Sequence, residues 1–288
     1  MNFLDKDKKI LIVGLGLMGG SYAQALSAEG YTVSAVSRSQ SSIDYALDKK
    51  LIVNGSTFAE EELLQEADIV VFALYPHVLL EWLKENQSKL RPGTLITDVT
   101  GVKTAIVHEV QGFLRKDVEF IASHPMAGRE RSGVEFCDAG IFRGANFIVT
   151  PTDKNSQEAV ELCCALGRTL GFATVSCLSP EEHDDMIAFL SQLTHCIAVT
   201  LMTCNDSPGM EDYTGDSFRD LTRIARINDE MWSELFLLNR DALLRHMDAF
   251  AEEFARLRAC LAEGDRETMR EMMRVSTQRR ARFDKKYC

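Results

Sequence analysis

The chain has 288 residues, 45% apolar and 26% charged, enough for one large or two modest globular domains. Its 18 glycines and 6 prolines are too few for a disordered or collagen-like chain. Lys and Arg number 32 against 43 Asp and Glu, and the net charge of −11 argues against general binding to nucleic acid or to an anionic membrane. An anionic substrate would need local cations to overcome that field. Eight cysteines, Cys137, Cys163, Cys164, Cys177, Cys196, Cys204, Cys260 and Cys288, contain no C-x-x-C pair. They read as free thiols of a reducing cytoplasm. Lys8, Lys9 and the stretch 10–18 have the outline of a signal peptide, but Asp5, Asp7 and the glycine spacing argue against one. No apolar run approaches about 18 residues, so no membrane span is expected.

In chain order, β-branched runs predict strands at 9–14, 32–37, 69–73, 94–99, 120–123 and 146–150, with helices at 18–29, 41–49, 76–89 and 103–113 between them. This alternation predicts a parallel sheet covered on both faces. A helix at 156–170 and a strand at 173–177 close the first domain. The texture then changes. Ser179-Pro180-Glu181-Glu182 is a helix start, with Ser as cap, Pro at the first helical position and Glu three residues after the Ser. From there to Arg282 only helical periodicity is seen. The expected organisation is α/β: a Rossmann-type doubly wound domain over 1–178 and an all-helical domain over 179–288.

Residues 10–13 run directly into Gly14-Leu15-Gly16-Leu17-Met18-Gly19 and then a helix. This G-x-G-x-x-G sits where a dinucleotide pyrophosphate meets a helix N-terminus: Gly14 for the turn, Gly16 for close backbone approach, Gly19 for helix–strand packing. Cofactor contacts are expected from Gly14, Gly16, Leu17, Met18 and Gly19. The second strand ends Ser37-Arg38-Ser39 in place of the acidic residue usual for NAD. A hydroxyl and a guanidinium suit a 2′-phosphate, so NADP is expected to be preferred, with NAD as the alternative.

Three segments fall beyond strand ends or on the first helix of the second half: 97–103, 123–128 and 183–195. His124, at a strand end and before Pro125, is the candidate general base. His183 and His195 lie twelve residues apart, about 18 Å on a straight helix, so no shared metal is expected. Ser191 and Gln192 precede His195 by four and three residues and could line a pocket with it. For His183, a role at the helix start stands beside a substrate role. Arg219 and Arg223 sit in an otherwise apolar helical approach, where a guanidinium is either paired internally or faces a carboxylate.

Taken together, these residues resemble the prephenate/arogenate dehydrogenase family of tyrosine biosynthesis. The matching elements are the glycine motif, Asp98-x-x-x-x-Lys103, His124-Pro125-Met126-Ala127-Gly128 with Ser132-Gly133, His183-Asp184 with Ala188 and Ser191, Thr222-Arg223-Ile224-Ala225, Met231-Trp232 and Asn239. The resemblance implies an oxidative decarboxylation in which His124 polarises a ring hydroxyl and Arg223 holds a substrate carboxylate. His183, Ser191 and Arg129 join the expected substrate set, Asp98 and Lys103 the cofactor set. It also implies a homodimer through the helical domain. This chain departs from the family at Gly101, where Ser is usual beside the histidine, at Gln192, often a second His, and at Arg129, often Thr. Thr100, Gln192 and His195 are the residues left to support His124. The departures leave prephenate and arogenate both open as substrates. No ACT-type regulatory or chorismate mutase segment is expected. A β-hydroxyacid-type dehydrogenase would want a Lys in the first long helix after the sheet domain, where this chain offers His183, Asp184 and Asp185. A non-catalytic dinucleotide sensor is the other rival.

Overall fold

The computed structural model describes residues 4–129 and 131–284; Cys288 lies outside them. Strands and helices alternate through the first part: β1 (Lys9–Val13), α1 (Leu17–Ala28), β2 (Thr32–Val36), α2 (Gln40–Asp48), β3 (Asn54–Ser56), α3 (Glu61–Glu66), β4 (Ile69–Phe72), α4 (Pro76–Asn86), β5 (Leu95–Asp98), α5 (Thr104–Phe113) and β6 (Glu119–Phe120). The six strands form one parallel sheet in the order β3-β2-β1-β4-β5-β6. That is the doubly wound dinucleotide-binding order, with its switch point between β1 and β4. Ile10–Val13 and Ile69–Phe72 are buried throughout, as strands covered on both faces must be. Two short elements carried no clear signal in the sequence: β3 is three residues with Gly55 at its centre, and α3 only six.

The run predicted at 120–123 divides between two sheets. Residues 119–120 extend the parallel sheet, whereas β7 (Ala122–Pro125) pairs antiparallel with β8 (Asn146–Thr150). The third strand of this second sheet, β9 (Thr174–Cys177), follows helix α6 (Gln157–Thr169) and runs parallel to β8. The physical cause of the division is Asp98, the last residue of β5. Its Oδ1 accepts the Ser123 N–H at 3.0 Å, and Ser123 Oγ donates to the Asp98 carbonyl at 2.8 Å. A side chain thus takes the place of the backbone ladder and turns the chain into a new sheet.

After Cys177 the described residues are helical. Ser179 and Glu182 close the capping box that starts α7 (Pro180–Ile187). One π-turn (Ala188–Gln192) joins it to α8 (Leu193–Thr203). The combined run Pro180–Thr203 is 24 residues long and apolar enough to cross a membrane by length and composition, against the expectation that no such run exists. His183, Gln192 and His195 interrupt its apolar stretches, so no continuous run is visible in the sequence. Here Ile187, Ala188 and Leu193 are buried within the protein. Then follow α9 (Asp216–Thr222), α10 (Asp229–Leu238), α11 (Arg240–Glu263) and α12 (Arg266–Arg280).

Compactness groups the residues up to Arg240 as one unit and those from Asp241 on as another. Within the first unit, Leu235 of α10 joins a buried cluster with Val13, Phe72, Leu79 and Val102, which ties α10 to the parallel sheet. Within the second unit, Asp265 caps α12 by accepting from the Thr268 N–H.

Helix α6 lies so close to β8 that a Cβ on Gly167 would stand 2.5 Å from the Phe147 ring. Phe147 is fully buried and cannot retreat. Gly167→Ala is therefore expected to destabilise the fold by about 1–3 kcal/mol, the usual scale of overpacking. A urea titration should show a lower midpoint with an unchanged slope.

Candidate active site

The glycine turn has the shape a pyrophosphate requires. Gly14 has φ +102°, and a Cβ there would meet the Ala73 carbonyl at 2.5 Å. A Cβ on Gly19 would stand 1.9 Å from the Gly14 carbonyl, so only glycine lets α1 start this close to β1. Gly16 faces open space, and as the residue preceding α1 it supplies no side-chain acceptor to the helix's free N–H groups. Those groups are left for an anion. Leu17 and Met18 open the helix itself. At the end of β2, Ser37 is buried, Ser39 caps α2 by accepting the Ser42 N–H, and Arg38 is exposed, with no ion pair among the described residues. These residues fit a dinucleotide.

Beyond the carboxyl end of β5, three side chains form a line. Asp184 Oδ1 accepts the Lys103 N–H and its Oδ2 the Thr104 N–H, both at 2.8 Å, so the carboxylate caps α5, whose own N-cap residue offers no side-chain acceptor. Oδ1 also lies 2.8 Å from His183 Nδ1. His183 Nε2 lies 2.9 Å from His124 Nδ1. Burial alone would raise the Asp184 pKa, but the bonds from His183 and Thr104 outweigh it and hold the acid below its ordinary value. An ionised Asp184 can only accept, so His183 donates from Nδ1. Neutral His183 then accepts at Nε2, and His124 donates from Nδ1. The lone pair of His124 is thereby placed on Nε2. A Cβ at Gly101 would stand 3.9 Å from that atom and 3.4 Å from Leu235. The line Asp184–His183–His124 therefore ends in an imidazole nitrogen able to accept a proton, its tautomer fixed by the fold.

The other expected residues are distributed as follows. Asp98 and Lys103 are fully buried, Nζ to Oδ2 at 2.6 Å. Burial lowers the Lys103 pKa, and Asp98 opposes that shift. The Thr100 hydroxyl donates to Asp98 and accepts from Lys103 Nζ at 3.1 Å, so it belongs to this buried pair. His183, read as a substrate contact, is completely buried behind His124. Gln192 is buried as well. Its Nε2 donates to the Leu235 carbonyl at 3.0 Å, and its Oε1 accepts from Asn239, which also donates to the Asp184 carbonyl. It acts as an internal strut between α7, α8 and α10. His195 lies against Trp232, ring centroids 3.7 Å apart, with Nδ1 2.8 Å from the Ser191 carbonyl. Arg129 pairs with Asp138 at 2.7 Å and Arg219 with Asp216 at 2.8 Å. Arg223 is exposed on the short turn that follows α9; its neighbours Thr222, Ala225 and Arg226, with Phe218 and Arg219, line a cavity of about 420 Å³. Asp184 had been matched only as a neighbour of His183, and its role becomes visible in the fold alone.

A glycine-rich dinucleotide turn and a buried imidazole relay beyond the same sheet's carboxyl edge define an NAD(P)-dependent oxidoreductase. Comparison with known proteins gives the particular kind. Residues 22–173 match the family described as "Prephenate dehydrogenase, nucleotide-binding domain", and residues 179–275 the one described as "Prephenate dehydrogenase, dimerization domain". Prephenate dehydrogenase of Lactococcus lactis is 34% identical over 84% of this chain and 68% of its own length. The Aquifex aeolicus prephenate dehydrogenase structure, in complex with hydroxyphenyl propionate and NAD+, superposes with a TM-score of 0.89 at 28% identity, covering 96% of this chain and 98% of that one. Synechocystis arogenate dehydrogenase superposes at 0.82 with 25% identity, covering 96% and 100%. The chain belongs to the prephenate dehydrogenase family.

The two histidines give the fold a pH signature. Burial, His183 and the Lys103 charge hold the His124 pKa well below its ordinary value, and burial also lowers His183, against the opposing Asp184 bond. In the unfolded chain both titrate near about 6.5. Between the folded values and about 6.5 the unfolded chain binds more protons, so the stability these neutral imidazoles contribute is complete above about 6.5 and is lost as pH falls through that range toward the folded values. Melting temperature is expected to fall between pH 7 and pH 5, and His124→Asn to flatten the slope. A wild-type melting temperature that holds level across this range would contradict the buried neutral pair.

Proposed function

We propose that the protein carries out the oxidative decarboxylation of prephenate to 4-hydroxyphenylpyruvate, with NADP used in preference to NAD. The observation that carries this reading is the unprotonated Nε2 of His124, fixed by His183 and Asp184 and left facing the space beside Gly101. Prephenate has a ring hydroxyl, a ring carboxylate and a pyruvyl side chain. His124 Nε2 accepts the hydroxyl proton while hydride leaves the same carbon; a nicotinamide dinucleotide held at Gly14, Gly16 and Gly19 would supply the hydride acceptor. The ring carboxylate departs as carbon dioxide, its bonding pair completes the aromatic ring, and His124 returns the proton to the phenolate oxygen. His183, backed by Asp184, stabilises the imidazolium in between. Arg223 offers a bidentate fork to a substrate carboxylate. His195 and Trp232, in close tilted contact, present an aromatic surface suited to a ring.

Ser37 and Arg38 stand where an acidic residue would repel a 2′-phosphate, which supports NADP. Residues 179–288 act as the substrate and dimerisation half. The match to a dimerization domain supports a homodimer, as do the exposed Phe250, Phe254 and Leu261 of α11. The free thiols among the described residues suit a reducing cytoplasm.

Turnover of the purified protein with prephenate and with arogenate, each with NADP and NAD, tests the assignment. Activity with neither substrate would refute it; arogenate as the better substrate would move the side-chain specificity. His124→Asn is expected to lower turnover by about 10²–10⁴-fold with dinucleotide binding intact.

For the cofactor, Arg38→Ala is expected to raise the KM for NADP by about 10-fold or more, the scale of a lost charge-assisted hydrogen bond, and to leave NAD nearly unaffected. A wild type that uses NAD as well as NADP would overturn the preference.

A further inference from the structure

Helix α4 begins with an unmet need. Pro76 occupies its first turn, and Tyr75 before it supplies no side-chain acceptor for the free N–H groups that follow. The His77 N–H is satisfied from far along the chain: Glu234 Oε1 accepts it at 2.8 Å. The other carboxylate oxygen, Oε2, lies 2.9 Å from His77 Nδ1. Two residues earlier in α4's approach, the Tyr75 hydroxyl accepts from Asn228 Nδ2 at 3.0 Å, while Asn228 Oδ1 caps α10 itself. One helix therefore grips the segment after β4 at two points.

That segment is part of the dinucleotide turn. The Ala73 N–H donates to the Val13 carbonyl at 2.8 Å, and the Ala73 carbonyl closes over Gly14. On the other side, the same turn of α10 carries Trp232 against His195, receives the Gln192 amide on the Leu235 carbonyl, and sets the Leu235 side chain beside position 101. A single helical turn thus touches both the surroundings of His124 and the start of α4, the helix that follows the loop closing over Gly14.

We propose that Glu234 is a positioning residue for the dinucleotide: by capping α4 from a distant helix it fixes the loop after β4 against Gly14 and holds it in register with His124. The inference takes dinucleotide use as given and goes beyond the identity of the substrate. A carboxylate with only 20% of its side chain exposed, bonded to a backbone N–H at a helix start, is a stronger anchor than a surface ion pair. His77 contributes the weaker arm, through its ring alone.

Three variants separate this role from a merely structural one. Glu234→Ala removes both arms and is expected to raise the dinucleotide KM, and the dissociation constant of the reduced dinucleotide read by its fluorescence, by about 10-fold, with kcat lowered and substrate KM within about 3-fold. Glu234→Gln keeps an oxygen for the His77 N–H and is expected to stay within about 3-fold of wild type. His77→Ala loses only the ring arm and should fall between them. The proposal is overturned if Glu234→Ala leaves dinucleotide binding unchanged, or if Ala and Gln variants lose melting temperature equally with no change in the dinucleotide constants. Should Glu234→Ala fail to fold, the same grading must still separate Glu234→Gln from His77→Ala; identical constants in those two would also refute it.

Discussion

The carboxylate of Asp184 accepts the N–H groups of Lys103 and Thr104 and faces the ring of His183, and the working site is built outward from it. Taking two consecutive backbone donors starts α5 at residue 104 and places the negative charge at the positive end of that helix. The same bonds keep the acid ionised despite its burial. An ionised acid dictates the tautomer of His183, and His183 dictates that of His124. Helix capping and proton placement are therefore linked at one side chain: the group that finishes a helix also sets which nitrogen of His124 carries the proton.

The arrangement recurs. Neither α4 nor α5 is capped by its own preceding residue. Each receives a carboxylate from a later helix, Glu234 from α10 and Asp184 from α7. A third acid, Asp98, performs a related task at the end of β5, where it takes the Ser123 N–H on one oxygen and the Lys103 ammonium on the other. A buried ion pair of this kind adds little net stability, because desolvation offsets the attraction, but losing one partner would leave an uncompensated charge. Its structural consequence is definite: it ends the parallel sheet and begins the strand that carries His124.

The departures from the family pattern acquire physical meaning in this frame. Gly101 leaves His124 Nε2 without a neighbouring hydroxyl, and Thr100 does not replace it, because its own hydroxyl is engaged by Asp98 and Lys103. His124 is then oriented through Nδ1, by His183 and Asp184. Gln192, where the family often has a second histidine, is turned inward to Leu235 and Asn239 and braces the helices.

By itself the sequence determined the alternation of strands and helices, the glycine turn, the capped start of α7 at Ser179 and the nomination of His124. Each of these is local: a period of two or 3.6, a spacing of glycines, a cap followed by Glu. It did not determine that the run 120–123 would divide between two sheets, nor that His183 would be buried behind His124. Glu234 was not distinguishable from the rest of the 43 acidic residues, and the helix-capping part of Asp184 and the strand-turning part of Asp98 carried no local signal. Those outcomes belong to tertiary structure, because a carboxylate's part depends on which backbone N–H groups are buried beside it. That pairing joins residues as far apart as 77 and 234, a separation over which no local pattern in the chain carries information.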